Sequence, residues 1–262
     1  MSKQHATEIK QDFYCWRLIA TGFCFFCFGL GGVILGTLVL PLFFLYPFGK
    51  DKKARFSRKA IQLGFRAFIE LMRGSGVLRY HLSGFDQLNR QHGQLIIANH
   101  PSLIDVVFLI AFIDNASCIV KRALFKNPLV MASITSAAYI PNDEATTLLD
   151  ACVNCLNEGT NLIIFPEGTR TTPGINSKLQ RGAARVALRA GTPLQTVIIS
   201  CNPSTLTKAE KWYNIPAKRP LFILRVSSRI DVIGFTKEQQ PHAARELTRQ
   251  IEDFFLQENE GV

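Results

Sequence analysis

No charged residue occurs between Leu18 and Gly49, in the stretch LIATGFCFFCFGLGGVILGTLVLPLFFLYPFG. A run this long argues against a buried core helix. No small-residue cleavage site follows the stretch, which excludes a secretory signal peptide. About 20 apolar residues suffice to span a bilayer, so the run is long enough to cross once. Gly31-Gly32, Pro41 and Pro47 also allow two shorter helices that dip into one leaflet. A phosphate-cradling GxxxxGK[ST] loop and the GxSxG elbow of a serine hydrolase are both missing. Without that elbow, Ser102 is a poor nucleophile. Repeats and low-complexity segments are absent too. The two CxxC pairs, Cys24/Cys27 and Cys152/Cys155, have no histidine or further cysteine beside them, so no metal site is expected. The seven cysteines read as reduced, buried thiols.

What the chain does have is grease and positive charge. Of its 262 residues 47% are hydrophobic, and the net charge is +10. A basic chain seeks nucleic acid or an anionic membrane surface. The apolar excess favours the membrane. The basic residues gather next to the apolar run, with no aromatic-interleaved basic motif of an RNA-binding module, so no nucleic-acid partner is expected. KDKKARFSRK, residues 50–59, holds six basic residues and one acidic one. Such a cluster marks a cytoplasmic flank and attracts anionic headgroups. Residues 1–17 are nearly balanced, Lys3, Lys10 and Arg17 against Glu8 and Asp12. A single span puts them outside, whereas a hairpin keeps them inside. Residues 54–73 continue as an amphipathic basic helix, with Phe56, Ala60, Leu63, Ala67 and Leu71 on one face. That helix either lies on the membrane surface or packs on the domain behind it.

After residue 75 the pattern alternates. Strands are expected at Val77–Leu82, Leu95–Ala98, Ser117–Val120, Asn161–Phe165, Thr196–Cys201 and Leu221–Val226. Helices are expected at Leu103–Ile113, Asp143–Asn157, Leu179–Ala190 and Gln239–Leu256. Short apolar strands alternating with helices imply an α/β fold, a mixed and largely parallel sheet flanked by helices. The organisation expected is a tail over 1–17, a membrane-inserted helical segment with its basic helix over 18–73, and an α/β domain over 75–262.

In open α/β sheets ligands gather at the carboxyl ends of strands, and two strand ends here carry unusual polar residues. LIIANHPSLID places His100 in the loop after a strand, with Pro101 suited to the first turn of the next helix. Histidine is the side chain best matched to proton transfer near neutral pH. Asp105, five residues on, can accept the other imidazole N–H if the loop folds back, fixing the tautomer. The bland alternative is a surface histidine beside a helix-capping aspartate. The second strand end, NLIIFPEGTRTTPG, carries Glu167, Gly168, Thr169 and Arg170. A glycine loop with an arginine suits a phosphate or headgroup; its bland alternative is a glycine turn with a solvated ion pair.

The two motifs, HPSLID and FPEGTR, stand 67 residues apart, each after an apolar strand and behind a membrane-binding front. In that order and spacing they resemble the glycerolipid, or lysophosphatidic acid, acyltransferase-like family over roughly residues 75–205. The resemblance implies a membrane-bound O-acyltransferase at the cytoplasmic face of an inner membrane, needing no cofactor and no metal. His100 would be the general base that deprotonates an acceptor hydroxyl, with Asp105 orienting it. The donor would be an acyl thioester on coenzyme A or acyl carrier protein. The acceptor would be a lysolipid such as 1-acyl-glycerol-3-phosphate, its polar head held by Glu167, Gly168, Thr169, Arg170 and Lys121. VKRALFKNPLV matches the family's second block at Lys121, Phe125 and Pro128, but YIPND stands where that block usually ends on an arginine. GTPLQTVII keeps Pro193 and has Thr196 where a second proline falls, lining an acyl channel or shaping the strand. The tail CNPSTLTKAEKWYNIP is similar to that of a bacterial subgroup associated with aryl polyene lipids. A thioesterase or lipid hydrolase, with water in place of the acceptor, is the competing reading.

Overall fold

Four consecutive apolar residues in LIIA (95–98) and in NLII (161–164) have no polar face to turn to water, so both strands must be covered on two sides. The computed structural model describes residues 13–41, 45, 47, 49–171, 178–232 and 240–260 and shows how this is met. Seven strands form one sheet in the order β1-β7-β6-β2-β5-β3-β4. These are β1 (Arg79–Ser83), β2 (Leu95–Ala98), β3 (Ala116–Val120), β4 (Ile140–Pro141), β5 (Asn161–Ile164), β6 (Leu194–Asn202) and β7 (Leu221–Ile230). Every pairing is parallel except β6 with β7, a mixed and largely parallel sheet as expected.

Alternation along β2 sorts the core into two layers. Ile96 and Ala98 face one apolar cluster with α1 (Tyr14–Ile34), α2 (Lys50–Gly74) and α4 (Asp105–Phe112). Leu95 and Ile97 face the other, with α6 (Ala145–Asn157), α7 (Gly182–Ala190) and α8 (Gln240–Glu260). Cys24 belongs to the first cluster and Cys152 and Cys155 to the second, so the two CxxC pairs sit on opposite faces of the sheet. Two further helices, α3 (Phe85–Leu88) and α5 (Pro128–Ser136), were not foreseen. Gly93, two residues before β2, has φ +69°, and a Cβ there would stand 2.7 Å from the Leu156 carbonyl oxygen. Only glycine fits that position.

Residues 18–39 of the charge-free run fold as most of α1 and a π-helical turn, Leu35–Val39. Tyr14–Val39 is long and apolar enough to cross a membrane, and only 17% of its most apolar window is buried. α2 then returns antiparallel to α1. Phe25 and Phe28 of α1 meet Phe65 and Phe68 of α2, and Trp16 Nε1 donates to the Ser75 carbonyl just past the end of α2. Residues 1–12, whose charge balance raised the question of sidedness, lie outside the described residues.

One member of the basic cluster departs from its expected part. Arg58 is buried, its Nε donating to Asn115 Oδ1 at 2.8 Å and its Nη1 to the Ala137 carbonyl at 3.0 Å. Gln62 donates from Nε2 to the Ile113 carbonyl at 3.0 Å. Both side chains tie α2 to the segments leading into β3 and β4, so Arg58 clamps the helix to the domain while its neighbours face outward. Pro101 also departs from expectation: the helix begins at Asp105, and Pro101 stays in the loop. Removing Arg58 strands an amide oxygen and a carbonyl in the interior. Arg58→Ala is therefore expected to lower stability by about 1–3 kcal/mol, measured by unfolding in detergent. Lys59→Ala, at an exposed neighbouring position, should stay within about 0.5 kcal/mol of wild type.

Candidate active site

β2 and β5 are adjacent and parallel, so the loops that leave their carboxyl ends emerge side by side. The loop after β2 carries His100 and the loop after β5 carries Glu167. Two hydrogen bonds stitch them together, and a third, within the second loop, fixes Glu167. The His100 amide donates to Glu167 Oε1 at 3.1 Å. The Thr171 amide donates to the His100 carbonyl at 2.7 Å, and Thr171 Oγ1 donates to Glu167 Oε2 at 2.6 Å. Asn99 anchors the other side of the loop, giving Nδ2 to the Ile199 carbonyl and taking the Ile199 amide on Oδ1. β6 is thereby fixed against the same loop.

Within this frame the histidine and aspartate do meet. His100 Nδ1 lies 3.0 Å from Asp105 Oδ2, and the same oxygen accepts the Ser102 amide at 2.6 Å. The imidazole stacks on Phe165, with ring centres 4.1 Å apart. A carboxylate facing Nδ1 holds the proton there, so Nε2 keeps its lone pair. Nε2 has no partner among the described residues. Asp105 is fully buried and no donor reaches its Oδ1. Burial is the main reason its carboxyl is pushed up to about 6; the hydrogen bond to His100 opposes the shift.

The residues expected to hold a headgroup divide into two sets. Glu167 spends both oxygens on the stitching. Arg170 Nη1 donates to the Leu206 and Thr207 carbonyls at 3.0 and 2.9 Å. Gly168 has φ +68°, and its amide closes a turn onto the Phe165 carbonyl at 3.0 Å; the left-handed backbone explains the glycine. Thr169 is half-buried beside it and Lys121 is exposed at the carboxyl end of β3. Neither side chain has a hydrogen bond or ion pair among the described residues. Ser102 is fully buried and its Oγ donates to the Thr205 carbonyl at 2.9 Å, which removes it as a nucleophile. Thr196 lies at the far, amino end of β6, where its hydroxyl donates to the Ser228 carbonyl; it shapes the strand.

Sequence reasoning missed a hub. The carbonyls of Thr205, Leu206 and Thr207 receive Ser102 Oγ, the Leu103 amide (3.0 Å) and Arg170. Both motif loops are thus braced on one segment that belongs to neither motif. Backbone carbonyls carry no residue signature, so nothing in the sequence announced it.

A family model described as Acyltransferase matches residues 79–200, a span that contains both motif loops. The chain is 29% identical over 174 residues to a 1-acyl-sn-glycerol-3-phosphate acyltransferase of Helicobacter pylori, covering 64% of this chain and 69% of that one. It is 29% identical over 167 residues to the Pseudomonas aeruginosa protein of the same name, covering 62% of this chain and 63% of that one. The crystal structure of the 1-acyl-sn-glycerophosphate acyltransferase PlsC from Thermotoga maritima superposes with TM-score 0.70 at 22% identity, over 91% of this chain and 95% of that one. That likeness shows the shared fold.

The raised carboxyl of Asp105 has two consequences of opposite sign. The folded state holds its proton more tightly than the unfolded chain, from the ordinary 3.8 up to about 6. Stability therefore falls as pH rises through that window, and above it the buried charge weighs on the fold in full. Asp105 must be ionised to hold the Nδ1 proton and offset the charge the imidazole gains, so activity should fall as pH drops through about 6. Asp105→Asn is expected to melt no lower than wild type at pH 7.5 and to lose turnover by about 10²-fold or more. Parallel melting and rate profiles against pH check both signs.

Proposed function

We propose that the chain is an acyltransferase, as the family model matching residues 79–200 suggests, and that it moves an acyl chain from a thioester to the hydroxyl of a lysophospholipid-like acceptor such as 1-acylglycerol-3-phosphate, at a membrane. The observation that carries this reading is the His100–Asp105 pair, with Nδ1 bonded at 3.0 Å and Nε2 unoccupied beside a strand end. No serine or cysteine nucleophile is needed. The acceptor oxygen attacks the thioester carbonyl as Nε2 takes its proton. The tetrahedral intermediate then collapses, the carbon–sulfur bond breaks, and the imidazolium returns the proton to the departing thiolate. Asp105 keeps the ring in the correct tautomer and offsets the charge that His100 gains. The products are an ester and a free thiol, so atoms and charge balance.

The donor is a thioester of coenzyme A or acyl carrier protein, and no resident cofactor is required. Glu167 and Gly168 shape the acceptor side by holding the two loops in register. Thr169, Lys121 and the remaining donors of Arg170 are the groups offered to the acceptor's head. The apolar α1 supports insertion in a bilayer. The exposed basic residues at the start of α2 support an inner membrane with the sheet on the cytoplasmic side. A cavity of about 600 Å³ opens between α1, α2 and α5, lined by Phe28, Gly32, Gly64, Phe65 and Val130 among others. Its size and apolar walls suit a hydrocarbon chain, within the about 300–1,000 Å³ usual for ligand sites. The similarity of the 201–216 tail to an aryl polyene-associated subgroup puts a polyene acyl chain among the donors to try.

The direct test offers coenzyme A and acyl-carrier-protein thioesters with lysophosphatidic acid and other lysolipids to protein in detergent, reading lipids by mass spectrometry. Wild type is expected to form a new ester, and His100→Ala to lose it by about 10²–10⁴-fold. Thioester loss without an ester, also abolished in His100→Ala, would mark a hydrolase. Equal behaviour of both proteins would end the dyad reading. A second expectation concerns the cavity. A Cβ at Gly64 meets nothing within 4 Å, so Gly64→Leu projects into open space. It should slow transfer of long acyl chains more than short ones in a chain-length series.

A further inference from the structure

Segment 203–219 belongs to neither motif, and part of it packs on helix α1. Arg17, nearly fully buried at the start of α1, gives Nη2 to the Pro216 and Ala217 carbonyls at 2.8 and 2.7 Å. The Trp212 ring lies 3.4 Å from where a Cβ on Gly22 would be, and 6.3 Å from the ring of Phe25. Yet Trp212 and Tyr213 remain 47% and 43% exposed. Lys211 sets its Nζ over the Tyr213 ring at 5.6 Å, and Lys208, Lys211 and Lys218 all face outward.

The chain has two tryptophans, and both are at this level of α1. Trp16 is 58% exposed, and Gly22, under Trp212, is about 9 Å further along the helix axis. Between them α1 passes from its last charged residue, Arg17, to the charge-free run that starts at Leu18. The same helix surface exposes Ile19, Phe23 and Phe26. Tryptophan and tyrosine with lysine, grouped where a charge-free helix begins, have the composition of a membrane–water interface.

We propose that residues 211–213 are a membrane-contacting surface beside helix α1, contributed by the domain and not by the α1–α2 helices, seating Trp212 and Tyr213 among the headgroups with Lys211 against anionic lipid. It rests on the reading of α1 as a bilayer helix. The surface lies in the same segment as the Thr205–Thr207 carbonyls that brace Ser102, Leu103 and Arg170, so the anchor and the dyad loop share one support.

The test uses the full chain carrying Trp16→Phe, which leaves Trp212 as the single tryptophan. The protein is reconstituted in phosphatidylethanolamine–phosphatidylglycerol vesicles, with and without bromine near the top of the acyl chains. Trp212 emission is expected to fall at least twofold with brominated lipid and to be protected from iodide. Trp212→Ala is expected to slow acyl transfer severalfold on vesicle-borne acceptor while leaving transfer to a short-chain acceptor in detergent unchanged, with Trp212→Phe restoring most of the loss. Ready iodide quenching with no effect of bromine would overturn the proposal. So would protection of Trp212 by an acidic acyl carrier protein in detergent without bromine quenching, which would assign the surface to a protein partner. The fluorescence readout involves no chemistry, so an inactive enzyme does not affect it and its failure leaves the acyl-transfer reading standing.

Discussion

Parallel pairing of β2 with β5 is the constraint from which the site follows. Two strands that run the same way deliver their exit loops to the same edge of the sheet, and here those loops carry His100 and Glu167. Burial on both faces enforces the register, because a slip of one residue would turn Ile96 and Ala98 into the wrong apolar layer. Once the loops are adjacent, short hydrogen bonds among His100, Glu167 and Thr171 finish the alignment. The hydrophobic core sets where the loops are, and the polar stitching sets their last ångström.

The dyad trades stability for chemistry. A carboxyl with one oxygen unpartnered and no access to water is an unfavourable object, and its raised proton affinity registers that. The compensation is spread over groups that do no chemistry: the Ser102 amide, the Phe165 ring against the imidazole, and the Asn99 bracket onto β6. Glu167 and Arg170 look like ligand-binding residues in the sequence. In the structure much of their hydrogen bonding is directed inward, onto the loops that hold the histidine.

What could be read in advance was local. The buried strands are mostly apolar runs, and the four helices expected after residue 75 lie within a few residues of where the sequence puts them. The five-residue spacing of His100 and Asp105 needs only one loop to close. Features that depend on distant partners were not legible. Arg58 looks like any other member of a basic cluster until Asn115 and the Ala137 carbonyl are seen beside it. Arg17 finds its acceptors about 200 positions away. β4 has two residues and α5 no clear stripe, so neither rises above its surroundings in the sequence.

His100 waits with its proton on Nδ1 and its lone pair on Nε2. Nitrogen-15 NMR of the imidazole at pH 7.5, with the His100 signals identified by their loss in a His100→Ala spectrum, tests this most directly. The account predicts a protonated Nδ1 whose proton resonates far downfield and shifts back in Asp105→Asn, together with an unprotonated Nε2. A proton on Nε2 in the wild-type protein would contradict it, since the ring would then have no base to offer the acceptor.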